Sequence, residues 1–145
     1  MGWQRRGDLV QAIGLLPVVS LHLRRHGYRA TSAWLDERCG PGRRPADPEP
    51  VDVSRARELG MVVRLAGRAI PDATCLRRAL VLRHLLGGPG SGASVRLGAK
   101  ADPATGALAF HAWVTLNGAV VSEPASAVNG FVELGEGQSS PGAPR

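Results

Sequence analysis

The sequence predicts an α+β domain: an N-terminal helical layer, then a central helix opened by a cysteine and packed on a small antiparallel sheet. Three observations predict it. Through about residue 86 the apolar residues recur at helical spacing. From residue 93 they alternate with polar ones, the period of a strand. Between two such runs stands Asn117-Gly118, a hairpin signal. The length of 145 residues suits one domain. It divides into a helical segment and linker at 1–50, a core at 51–134, and a Gly/Ser/Pro tail at 135–145 expected to be disordered.

Residues 8–26 and about 30–38 read as two helices broken at Gly27. The apolar run from Ala12 to Leu23 is shorter than the ~20 residues of a membrane span, and no Ala-x-Ala cleavage site follows it. Neither a membrane anchor nor a signal peptide is expected, and the expected compartment is the cytoplasm. Gly40 to Pro50 carries four prolines and two glycines and reads as a linker. From Val53 to Ile70, apolar residues at Val53, Ala56, Gly60, Val63 and Ile70 mark an amphipathic helix that stops at Pro71. Asp72 or Thr74 then caps a helix from Cys75 to about Leu86. Its wide apolar arc (Leu76, Ala79, Leu80, Leu82, Leu85, Leu86) suits a central, mostly buried helix, with Arg77, Arg78 and Arg83 as its solvated side.

A strand at 93–100 alternates Val95, Leu97 and Ala99 against Ser94, Arg96 and Lys100. A turn at 102–106 leads into a strand at 107–116, which puts His111, Trp113 and Thr115 on one face and Phe110, Ala112 and Val114 on the other. Residues 119–122 and 131–134 complete the sheet.

Composition narrows the function classes. Hydrophobic residues make up 43% and aromatics 4%, so the core is mostly aliphatic. Of the 18 basic residues, 17 are Arg and Lys100 is the only Lys, against 12 acidic residues. The arginines are scattered, with no zinc-finger spacing and no RNP-like strand, so nucleic acid is not the expected partner. Cys39 and Cys75 belong to no CxxC pair and make no disulfide framework. His22, His26 and His84 read as surface or structural residues.

A lone cysteine on an apolar helix is ordinarily a small buried hydrophobe. Here it begins the helix, where unpaired N–H groups and the positive dipole end favour a thiolate and can donate to an oxyanion. A histidine in a strand and a carboxylate past a turn follow in the order a papain-type acyl-transfer site requires. Hairpin register decides whether Glu123 takes part. A two-residue loop pairs Ala112 with Glu123, on the face opposite His111. A three-residue loop with Gly118 in a G1 bulge sets Glu123 directly across from His111. The bulged register is expected, because only that pairing completes the triad.

The run from Cys75 to Leu86, followed by Val95-Arg96-Leu97-Gly98, His111-Ala112-Trp113-Val114 and Asn117-Gly118, resembles the lasso peptide biosynthesis B2 proteins. These are leader peptidases with a transglutaminase-like, papain-like core. The likeness spans roughly Val53 to Leu134 and extends weakly to Arg24-Arg25-His26-Gly27-Tyr28-Arg29. It implies that Cys75 is the nucleophile, His111 the general base and Glu123 the orienting acid. The family usually has Asp at that last position and often Asp before the turn glycine, where this chain has Asn117. The resemblance implies no cofactor or metal. It implies as partners a lasso precursor leader peptide, a separate PqqD-like leader-recognition protein (B1) and an asparagine-synthetase-like lasso cyclase. Trp113, Arg77 and Arg78 are the expected substrate-binding side chains. The arginines would meet an acidic leader segment, and Trp113 serves as core packing or as a wall that holds the imidazole.

Overall fold

The computed structural model describes residues 2–38, 52–70, 74–88 and 90–136. Cys39, the linker at 40–50, Asp72 as an N-cap and the tail from 137 lie outside the described residues. Three helices, α1 (Gly2–Arg38), α2 (Val53–Ala69) and α3 (Cys75–Leu85), precede four strands: β1 (Ala93–Ala101), β2 (Leu108–Leu116), β3 (Ala119–Val120) and β4 (Val132–Glu136). The strand order is β3-β2-β1-β4, with β2 antiparallel to both β1 and β3 and β4 antiparallel to β1.

Helix α1 begins at Gly2, earlier than the pattern suggests, and breaks where expected: Gly27 has φ 79° and ψ 178°. The joint is held by Thr31, whose buried hydroxyl donates to the Gly27 carbonyl (2.8 Å) and lies 2.9 Å from His22 Nδ1. Asp52 caps α2 by accepting the Arg55 N–H at 2.7 Å. Helix α3 packs against α1, α2 and the sheet. Leu80 and Leu82 of α3 meet Leu16, Val19, Val63, Val95, Val114 and Leu116 in one core, all under 2% exposed. On β2 it is Ala112, Val114 and Leu116 that join this core, so the period-2 reading assigns the faces correctly. β4 runs to Glu136, two residues into the segment read as tail.

Arg83 departs from expectation. It is 7% exposed rather than solvated, and its Nη1 donates to Asp36 Oδ1 of α1 at 2.5 Å. A guanidinium enters a core when a carboxylate meets it there, and this one comes from 47 residues earlier in the chain.

The hairpin also departs. The bulged loop does not form: Leu116 pairs with Ala119 and Thr115 with Val120. Asn117 and Gly118 have φ 50° and 89°, the two left-handed positions of a type I′ turn. Asparagine tolerates that conformation better than most residues, so the tight turn prevails. The ladder continues one step, with Val121 N–H donating to Val114 C=O at 3.0 Å. It then ends, because Ser122 Oγ accepts the Val114 N–H at 3.0 Å. The Val121 carbonyl turns to α2 instead, against Gly60, where any Cβ would collide with it.

Candidate active site

Thr74 is the N-cap residue of α3, with φ −70° and ψ 167°, and its side chain makes no capping bond. The first helical bond here runs from Arg78 N–H to Thr74 C=O at 3.0 Å. Cys75 is therefore the first helical residue, ahead of that bond, with the positive end of α3 beside its sulfur. Its thiol is free and half-buried.

His111 lies in the middle of β2, opposite Gly98 of β1. Its Nε2–H donates to Glu123 Oε1 at 2.6 Å, and both side chains are shielded, at 21% and 14% exposure. Glu123 arrives by a route other than strand pairing. Once Ser122 has closed the ladder, the chain is free to turn, and the next residue swings its carboxylate onto the imidazole. Two contacts fix that departure: the Ser122 hydroxyl on Val114, and the Val121–Ser122 backbone against Gly60. On its other side the imidazole faces Phe131 (ring centroids 5.4 Å apart) and Trp113 (6.0 Å). Trp113 lies across Gly98, which has no Cβ to obstruct the indole.

Cys75, His111 and Glu123 line a single cavity of about 110 Å³. Strand β3 stops at Val120, so it does not cover the edge of β2 beside His111, and the cavity sits there. Val63, Ala79 and Leu82 give it an apolar floor, while Arg64 and Arg78 bring two guanidinium groups to its wall. The Nε of Arg78 is buried with no hydrogen-bond partner among the described residues. With Nε2 engaged by a carboxylate, Nδ1 is the ring nitrogen left to exchange a proton. Thiol, imidazole and carboxylate converging on one partly closed space are the equipment of nucleophilic acyl transfer.

The predicted residues separate into two groups. Cys75, His111, Glu123 and Arg78 share the cavity, whereas Arg77 and Trp113 do not line it. Trp113 is 5% exposed and packs behind the imidazole. Sequence reasoning missed Gly60, Arg64 and Ser122. Gly60 gave a signal, a glycine on the buried stripe of α2, but read simply as one more small residue of that stripe. Ser122 carried only its place beside the carboxylate. No group of three or more His, Cys, Asp or Glu side chains suited to a metal occurs among the described residues, and no helix among them is long and apolar enough to cross a membrane.

Searches of curated proteins and of solved structures found no match. Residues 18–136 match the sequence model of the Transglutaminase-like superfamily, whose domains are commonly cysteine-dependent enzymes. That match covers well over half of the chain and includes every residue of the cavity. The chain belongs to the transglutaminase-like superfamily.

Proposed function

We propose that this protein is a cysteine peptidase that removes the leader from a lasso peptide precursor. One observation carries the enzymatic part: a free thiol at the start of α3 shares a cavity with an imidazole hydrogen-bonded to a carboxylate at 2.6 Å. The superfamily covers activities of the cysteine protease and amide transferase types. The leader-peptidase reading is supported by the motif order from Cys75 through His111 to Asn117-Gly118.

In this reading Glu123 holds the proton on Nε2, and Nδ1 accepts the proton of the Cys75 thiol. The sulfur attacks the carbonyl of the last leader residue, forming a C–S bond, and backbone N–H groups at the start of α3 donate to the oxyanion. The C–N bond breaks as Nδ1 returns its proton to the leaving amine, which begins the core peptide. A water molecule, deprotonated by the same nitrogen, then hydrolyses the thioester and frees Cys75. Arg78, at the cavity wall, presents a cation to acidic groups of the leader. A PqqD-like recognition protein delivers that leader, and an asparagine-synthetase-like cyclase consumes the freed core.

The test is a precursor encoded beside the gene, incubated with this chain and its neighbouring recognition protein and followed by mass spectrometry. Wild type should release free leader, and Cys75→Ala should bind the precursor without cutting it. Undiminished cleavage by that variant would eliminate the enzyme reading. Adding primary amines separates the classes: leader-amide products in place of free leader would make the chain an amide transferase.

A further inference from the structure

We propose that the groove between the N-terminal part of α1, at Arg6 and Leu9, and the outer face of α2 is a docking subsite for an acidic, apolar-anchored segment of the peptide substrate. That this segment belongs to a substrate, and its orientation, rest on the peptidase reading; the binding of an acidic, apolar peptide in the groove does not. The groove has a volume of about 460 Å³, within the range of sites that enclose several side chains. Leu9, Met61 and Leu65 give it an apolar floor. Met61 is 68% exposed and Leu65 56%, a large apolar area for one helix to leave in water.

Helix α2 divides the molecule at this point. Positions 61, 65 and 68 follow one another at i, i+4 and i+7 and face the groove, while Gly60 and Val63 face the catalytic cavity. Arg64 stands on the ridge between them and lines both spaces. A peptide leaving the cavity over Arg64 therefore passes directly into the groove. Crossing a helix roughly 10 Å wide takes about three extended residues at ~3.3 Å each, so the docked segment begins about that far from the bond cut.

Charge identifies the segment. Arg6, Arg64 and Arg68 rim the groove against one carboxylate, Glu58, which already meets Arg55 at 3.5 Å. A positive rim around an apolar floor selects carboxylates interleaved with aliphatic side chains and repels basic segments. The continuity through Arg64 makes substrate the occupant, rather than a second copy of this chain.

The test uses the full chain carrying Cys75→Ala, so that nothing is turned over. Binding of a fluorescein-labelled synthetic peptide of leucines and glutamates is followed by anisotropy, beside the same peptide with lysines for the glutamates. The acidic peptide should bind at least about tenfold more tightly than the basic one. Met61→Ser with Leu65→Ser should weaken it about tenfold, and Arg68→Glu should do the same. These residues are exposed, and circular dichroism checks that the variants fold. Equal binding of the two peptides, or an unchanged Kd in both variants, overturns the proposal. So does self-association, seen by light scattering, that Leu65→Ser abolishes, because the groove would then belong to a second copy. Precursor cleavage by wild type is scored separately. Cleavage without groove-dependent binding sinks the subsite alone, and groove-dependent binding without cleavage sinks the peptidase reading alone.

Discussion

Gly60→Ala should destabilise the fold and slow the proposed cleavage together, although alanine is the better helix former. A Cβ at position 60 collides with the carbonyl oxygen of Val121 and comes within 3.1 Å of Ser122 Cα. Both are backbone atoms, so no side chain can rotate aside. Overpacking of this kind costs about 1–3 kcal/mol, whereas replacing glycine by alanine inside a helix contributes about 0.5–1 kcal/mol. The steric term wins, for a net loss of about 1–2 kcal/mol. The atoms pushed away immediately precede Glu123, so its 2.6 Å bond to His111 should lengthen and turnover should fall as well. Gly14→Ala is the internal control, because its Cβ would meet nothing within 4 Å, and it should stabilise by about 0.5–1 kcal/mol. Urea unfolding followed by circular dichroism measures both. If Gly60→Ala proves as stable as Gly14→Ala, α2 and the segment before Glu123 are not in contact as described.

Further expectations concern charge and protonation. In the proposed peptidase reaction, Glu123→Gln should lower turnover by about two orders of magnitude, less than the ~10⁴ lost when a triad aspartate becomes asparagine, with substrate binding unchanged; a variant as fast as wild type would mean that another group orients His111. Asp36→Ala strands the Arg83 guanidinium in the core and should cost about 2–3 kcal/mol, below the ~3–5 of a fully enclosed pair because the Asp36 side chain is 30% exposed; joint replacement of both by leucine and methionine should recover most of this in the same urea titration. Burial holds the His84 imidazole below its ordinary range, so near pH 6.5 the unfolded chain binds a proton that the folded chain refuses. Stability should therefore fall as pH drops through that region, and His84→Gln should flatten the slope measured by unfolding at a series of pH values.

Much of this architecture is legible in the sequence, because local rules govern it. The break at Gly27, the stop before Pro71, the cysteine at a helix start and the alternation around His111 each follow from residues within a turn or two. What escaped depends on partners remote in sequence. Arg83 is buried because Asp36 meets it from α1, and the pattern of α3 alone does not contain that fact. The hairpin failed in a more instructive way. The expected bulge was inferred from the need to bring Glu123 to His111, whereas Asn117-Gly118 by itself argues for the tight turn that forms. Both requirements are met because a serine hydroxyl ends the pairing one residue before the acid, a device that strand periodicity does not reveal.

That device separates two jobs which a longer strand would have merged. The acid is aimed by where the chain quits the sheet, held at Val114 from one side and at Gly60 from the other, whereas the turn beyond Leu116 is tied elsewhere, its Asn117 N–H donating to the Gly92 carbonyl at 3.1 Å. Evolution or an engineer can thus change the residues at the tip of the hairpin without retuning the imidazole, provided that the two-residue loop keeps the register in which Val121 and Ser122 hold their two anchors.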